Sequence, residues 1–179
     1  ELLQERNELE TTLSSMADGI LAIDRDGRLL NLNPAAAALF DLDMKRSRGK
    51  TIVEIVRNTA LQEFAKASLG ASQPIDTEMV VVRDGERHIH VLGSPVRDTQ
   101  GQTAAAVLVL HDITTLRKLE TMRRDFVANV SHELKTPITS IKGYIETILD
   151  TRDISAEDSR RFLETVRRQA ERLNAIIDD

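Results

Sequence analysis

The sequence predicts an α+β domain, a five-stranded antiparallel sheet with short helices on one face. An α-helical hairpin follows, which dimerises into a four-helix bundle. Three observations carry this reading. Asp26-Gly27 and Asp84-Gly85 separate runs of β-type residues in the way hairpin turns do. Across residues 17–112 the order is two strands, then helices, then three strands, the pattern of an α+β sheet. From Asp112 onward apolar residues recur at helical spacing, with one break at 150–155.

Residues 1–16 set Leu2, Leu9, Leu13 and Met16 at seven-, four- and three-residue steps among polar neighbours, a short coiled-coil stripe. Gly19 to Asp24 reads as a strand and Arg28 to Asn33 as its hairpin partner. Asn33-Pro34 opens a helix with proline at its first position, running to about Phe40. Further helical patterns cover roughly Thr51 to Asn58 and Thr59 to Leu69, the latter ending at Gly70. Ile75 to Val82 is β-rich. Arg87 to Pro95 alternates, with Ile89, Val91 and Gly93 on one face and His88, His90 and Leu92 on the other. Ala104 to Leu110 is an unbroken apolar run suited to a central strand.

Beyond Asp112, Leu116, Leu119 and Met122 lead into Phe126 without a breaker, so one helix is expected to reach about Leu149. Residues 113–125 form a linker helix, and 126–179 form the hairpin. Ser155 is the expected N-cap of the second helix, with Asp158 three residues on. That helix carries Phe162, Val166, Ala170, Leu173 and Ile177 on one face. One such hairpin buries its stripe poorly, and a second copy is the natural cover.

Composition narrows the function. The chain has 179 residues, a net charge of −5, no Trp and one Tyr, so it has neither a basic footprint nor aromatic platforms for nucleic acid. With no Cys there are no disulfides, thiolate metal sites or cysteine nucleophiles. No apolar run reaches the roughly 18–20 residues of a membrane span. The first residue is Glu and both ends lie in helical patterns, so the sequence reads as part of a longer protein.

The chemistry concentrates at His132. With Phe126 at zero and about 100° per residue, Val130, Leu134, Ile138, Ile141, Ile145 and Ile148 fall between about 40° and 120°. His132 falls near 240°, across the helix, among short or small residues such as Ala128, Thr136 and Gly143. A neutral imidazole in such a place is a potential nucleophile. Glu133, bonded to one ring N–H, would make the other nitrogen reactive. Thr136, at i+4, sits where its hydroxyl could orient a water. Pro137 removes the amide that would serve the Glu133 carbonyl and favours a bend.

Ser131-His132-Glu133-Leu134-Lys135-Thr136-Pro137 resembles the phosphoacceptor box of two-component sensor histidine kinases. The flanks Phe126-Val-Ala-Asn-Val and Ile138-Thr-Ser-Ile-Lys-Gly-Tyr144 resemble the same family, especially its phosphate-regulon and cell-wall sensors, and the likeness spans residues 116–179. Residues 17–112 resemble a PAS domain more loosely, with Asp112-Ile113-Thr114 similar to the motif leading into a following helix.

The resemblance implies that His132 takes the γ-phosphoryl of ATP and passes it to an aspartate of a response regulator. It implies that Glu133 assists phosphorylation and Thr136 assists regulator dephosphorylation. It also implies a homodimer within a cytoplasmic portion of a membrane-anchored bacterial sensor. No Gly-x-Gly pair occurs, so ATP and Mg are expected in an ATP-binding domain after residue 179, and no cofactor within these residues. The other readings are an inert dimerisation scaffold and a ligand-binding PAS sensor coupled to another output. A flavin photosensor of this fold needs a Cys, and a haem version needs a His within Thr51 to Leu69; neither is present. His88 and His90 share a strand face without an evident third metal ligand, and His111 is expected to be structural.

Overall fold

Three acidic turns fold the sheet. Asp24 Oδ1 accepts from the amides of Asp26 and Arg28, at 2.9 and 2.8 Å, and lets Gly27 take φ +74°. Asp84 and Gly85 both have positive φ, as a tight hairpin turn demands. Asp98 Oδ1 accepts from Gln100 and Gln102, closing the third turn. The computed structural model describes residues 16–178, so the expected coiled-coil stripe over 1–16 lies almost wholly outside the described residues.

The strands are β1 (Gly19–Asp24), β2 (Leu29–Leu32), β3 (Ile75–Val82), β4 (Glu86–Arg97) and β5 (Thr103–Asp112). They form an antiparallel sheet in the order β2-β1-β5-β4-β3. Between β2 and β3 run α1 (Pro34–Phe40), α2 (Met44–Ser47), α3 (Ile52–Ile55) and α4 (Thr59–Gly70). The core lies between the helices and one sheet face. Leu21, Ile23, Leu61, Ile89, Val91 and Leu108 are fully buried there.

Several expected elements end elsewhere, each for a local reason. Strand β2 is shorter than 28–33 because Arg28 bridges Thr51 and Asn33 turns inward as the cap of α1. The helix expected over 51–58 is only α3, because Val56 is extended and Asn58 caps α4, accepting from Leu61 N. Helix α2 has no counterpart among the helical patterns of the sequence. Its marker is Asp43, whose side chain accepts from the amides of Arg46 and Lys45. Those bonds hold the Asp43 carboxyl below its ordinary range.

Helix α4 lies against β4 where the sheet has no side chain. A Cβ on Gly93 would run into Ser68 Oγ and come within 2.9 Å of Phe64 Cε1. Ser68 is fully buried, and its hydroxyl donates to the Phe64 carbonyl. Gly93→Ala is therefore expected to destabilise this domain by about 1–3 kcal/mol through overpacking. Urea unfolding should show the midpoint falling, and Ser68→Gly in the same chain should recover part of the loss.

The chain divides into two compact units, one ending at Arg117 and one starting at Lys118. The second consists of most of α5 (Thr114–Asp150) with α6 (Ala156–Asp178). As expected, Ser155 caps α6: its Oγ accepts from Asp158 N at 3.0 Å and donates to the Asp158 carboxylate at 2.7 Å. Among the described residues no helix is long and apolar enough to cross a membrane.

Candidate active site

The half-buried residues of the two helices follow a 3-4 alternation. On α5 they include Val130, Leu134, Ile141, Tyr144 and Ile148, with Pro137 fully buried among them. On α6 they include Phe162, Val166, Gln169, Leu173 and Ile176. Tyr144 and Phe162 meet across the hairpin with ring centroids 5.3 Å apart. This spacing is a heptad seam, and it corrects the faces drawn from the sequence alone. Ile138 and Ile145 on α5, and Ala170 and Ile177 on α6, lie outside the seam and are exposed in the single chain.

His132 is exposed. Among the described residues its ring has no hydrogen-bond or ion-pair partner. The imidazole is thus open to an incoming group, as the helical projection suggested. Thr136 lies one turn along, its hydroxyl directed to the His132 carbonyl at 3.4 Å, a long bond that rotation would break easily. Ser131 Oγ donates to the Val127 carbonyl at 2.7 Å and takes no part in the open face. Pro137 sits inside α5, which continues through it to Asp150.

Glu133 is also exposed, and its carboxylate is not on the ring. It meets Arg172 of α6, Oε2 to Nη2 at 3.4 Å. Arg172 had no sequence signal, because the contact depends on the register between two helices.

The junction of β5 and α5 is bound to the sheet. The Asp112 side chain accepts from the Thr114 amide and hydroxyl, and Thr114 Oγ1 accepts from His88 N at 2.9 Å. Ile113 N donates to the His88 carbonyl at 2.9 Å. Arg117 on the first turns of α5 pairs with Glu78 of β3. That guanidinium holds the Glu78 carboxyl below its ordinary range. Partial burial opposes the charge on Asp112, but the Thr114 bonds together with the Arg87 and His111 charges outweigh it, and its carboxyl is also lowered.

The remaining histidines each face one carboxylate: His88 with Glu86 at 3.4 Å, His90 with Asp76 at 3.1 Å and His111 with Asp18 at 2.6 Å. Among the described residues no group of three or more ligands could hold a metal ion. An open groove of about 410 Å³ at the edge of the core is lined by residues including Leu39, Arg57, Val80, Val81 and Arg83. Arg160 and Arg167 pair along α6 with Glu164 and Glu171, as a solvated helix face does.

Two family models match. Residues 7–113 match the PAS fold, and residues 122–179 match the His Kinase A (phospho-acceptor) domain. The chain belongs to the PAS-containing sensor histidine kinases. It is 31% identical to the Staphylococcus aureus (strain Newman) sensor protein kinase WalK over 176 residues, covering 98% of this chain and 28% of that protein. It is 29% identical to the Pseudomonas aeruginosa phosphate regulon sensor protein PhoR, covering 96% of this chain and 37% of that protein. The chain thus spans roughly a third of the length of these relatives. Among solved structures, the PAS domain of Bordetella pertussis BvgS superposes with a TM-score of 0.51 at 25% identity, covering 68% of this chain and 98% of that one. The PAS domain of a Colwellia psychrerythraea protein gives 0.51 at 16% identity, covering 64% and 99%, a likeness of fold alone.

The family reading fits the two units as described. Within it, these residues comprise the PAS fold and the His Kinase A (phospho-acceptor) domain.

Proposed function

We propose that His132 is the phosphoacceptor of this kinase family member. An ATP-binding domain of the parent chain holds ATP and Mg, and presents the γ-phosphoryl group to the ring. A neutral ring nitrogen forms the N–P bond while the bond from γ-phosphorus to the bridging oxygen breaks, its electron pair leaving on ADP. Glu133 takes the opposite ring N–H and offsets the positive charge that develops on the imidazole. The phosphoryl group then passes from nitrogen to an aspartate oxygen of a response-regulator receiver domain, leaving neutral histidine. Thr136 positions a water for hydrolysis of that aspartyl phosphate.

A homodimer covers the apolar positions outside the seam, and the assembly works in the cytoplasm, tethered through other segments of the parent. A change of PAS packing shifts the helices between two arrangements, one favouring acceptance and one hydrolysis. Pro137 is where α5 is best able to bend, since the Glu133 carbonyl lacks its usual amide partner.

The observation that carries this reading is the exposed ring of His132, without a partner among the described residues, within the matched phosphoacceptor segment. The test supplies an ATP-binding domain in trans with γ-labelled ATP. Acid-labile, base-stable label on the chain is expected. A folded chain that stays unlabelled, while a control substrate is labelled by the same domain, would reverse the conclusion. In the same system Thr136→Ala should slow regulator dephosphorylation by roughly tenfold or more. The loss should fall on hydrolysis and much less on labelling, and phosphate release from labelled regulator measures it.

A further inference from the structure

Among the described residues, Arg172 and Glu133 have no partner of opposite charge on their own helices. Three and four residues from Arg172 stand Arg168, Gln169, Ala175 and Ile176. Three and four from Glu133 stand Asn129, Val130, Thr136 and Pro137. Neither residue can make the i,i+4 pair that Arg160 makes with Glu164 and Arg167 with Glu171. Both instead reach across the hairpin and meet, Nη2 to Oε2 at 3.4 Å.

The Glu133 carboxylate therefore has two competing donors: the guanidinium it touches, and the ring N–H of the adjacent His132. Building on the phosphoacceptor reading of His132, we infer that Arg172 is a positioning residue that holds Glu133 away from the His132 ring and restrains its phosphorylation. The pair suits that task because it is weak. It is long, and the two side chains are 58% and 59% exposed. A buried bidentate pair would lock the carboxylate in place, whereas an exposed single contact yields to a modest change in helix packing. Released, Glu133 accepts the ring N–H, fixes the tautomer and neutralises charge as the N–P bond forms.

Potassium phosphoramidate tests this without any ATP-binding domain. A ring nitrogen attacks phosphorus, the donor P–N bond breaks, and ammonia leaves with the electron pair and takes up a proton from solvent. Phosphohistidine at position 132 is measured by mass spectrometry, with His88, His90 and His111 as internal references. Arg172→Met is expected to raise the initial rate at His132 roughly two- to fivefold, the range an exposed ion pair allows. Arg172→Lys, which keeps the cation but loses the forked donor, should raise it less. On a Glu133→Gln background Arg172→Met should give no rise, because the residue being restrained is gone. An equal rise on both backgrounds would reduce Arg172 to a packing residue, and no rise with Glu133 intact would overturn the inference. The ATP-labelling test stands apart: an unlabelled His132 there sinks the phosphoacceptor reading, while this comparison still reads the effect of Arg172 on the ring.

Discussion

His132→Gln is expected to lower acid-labile labelling at least roughly a hundredfold, since no other ring offers an equivalent nucleophile. The chain has four histidines, and the structure separates them. His88, His90 and His111 each face a carboxylate on the PAS unit, the closest being His111 with Asp18 at 2.6 Å. A ring paired in this way gives up part of its freedom to turn toward a donor. His132 alone among them has no such partner among the described residues. Glutamine keeps a polar side chain on an exposed helical position, so stability should hardly change and the loss can be assigned to chemistry. Label counted after acid and after alkali, in the variant and in His88→Gln, His90→Gln and His111→Gln, gives the comparison. Undiminished label in His132→Gln would place the acceptor elsewhere.

Asn33→Ala is expected to cost the PAS unit about 2–4 kcal/mol, a large share of a small domain's stability. The side chain is buried and joins three segments. Oδ1 accepts from Ile20 N at 2.8 Å and Ala36 N at 2.9 Å, while Nδ2 donates to the Asp18 carbonyl at 2.8 Å. Alanine removes the N-cap of α1, which contributes about 1 kcal/mol. It also leaves the Ile20 amide, inside the sheet, without this acceptor, at a cost of about 1–3 kcal/mol. Asn33→Asp keeps the acceptor and loses the donor, so it should fall between wild type and alanine. Urea midpoints followed by circular dichroism decide it, and a midpoint unmoved by alanine would mean that water replaces the side chain.

The strands were legible because local signals set them. Alternation along Arg87 to Pro95 put Ile89, Val91 and Gly93 on one face, which the fold buries, and the Asp-Gly pairs marked two of the turns. Asn33-Pro34 announced a helix start, but nothing in the sequence showed that the same asparagine reaches back to β1. Helix α2, at four residues, is too short to display a period, and only its capping aspartate could have revealed it. On the long helices the apolar stripe is wider than one seam. The sequence therefore marked Ile138 and Ile145 as inward-facing with Val130 and Leu134, though the hairpin leaves the first two exposed. The open face of His132 followed from its angle on one helix. The Arg172–Glu133 contact did not, because it depends on how two helices slide past each other, which no local pattern encodes.

The second heptad stripe has a consequence for dosage. Leu163, Ala170 and Ile177 stand seven residues apart on α6, exposed in one chain, with Ile138 and Ile145 likewise uncovered on α5. If a second copy closes that stripe, the stability of the hairpin becomes a function of how many copies are present, because association adds free energy that grows with concentration. Lowering the copy number would then thin the population of ordered hairpins before any residue near His132 changes. A substitution such as Leu163→Ala would behave as a shift in threshold, silent when the protein is abundant and severe when it is scarce.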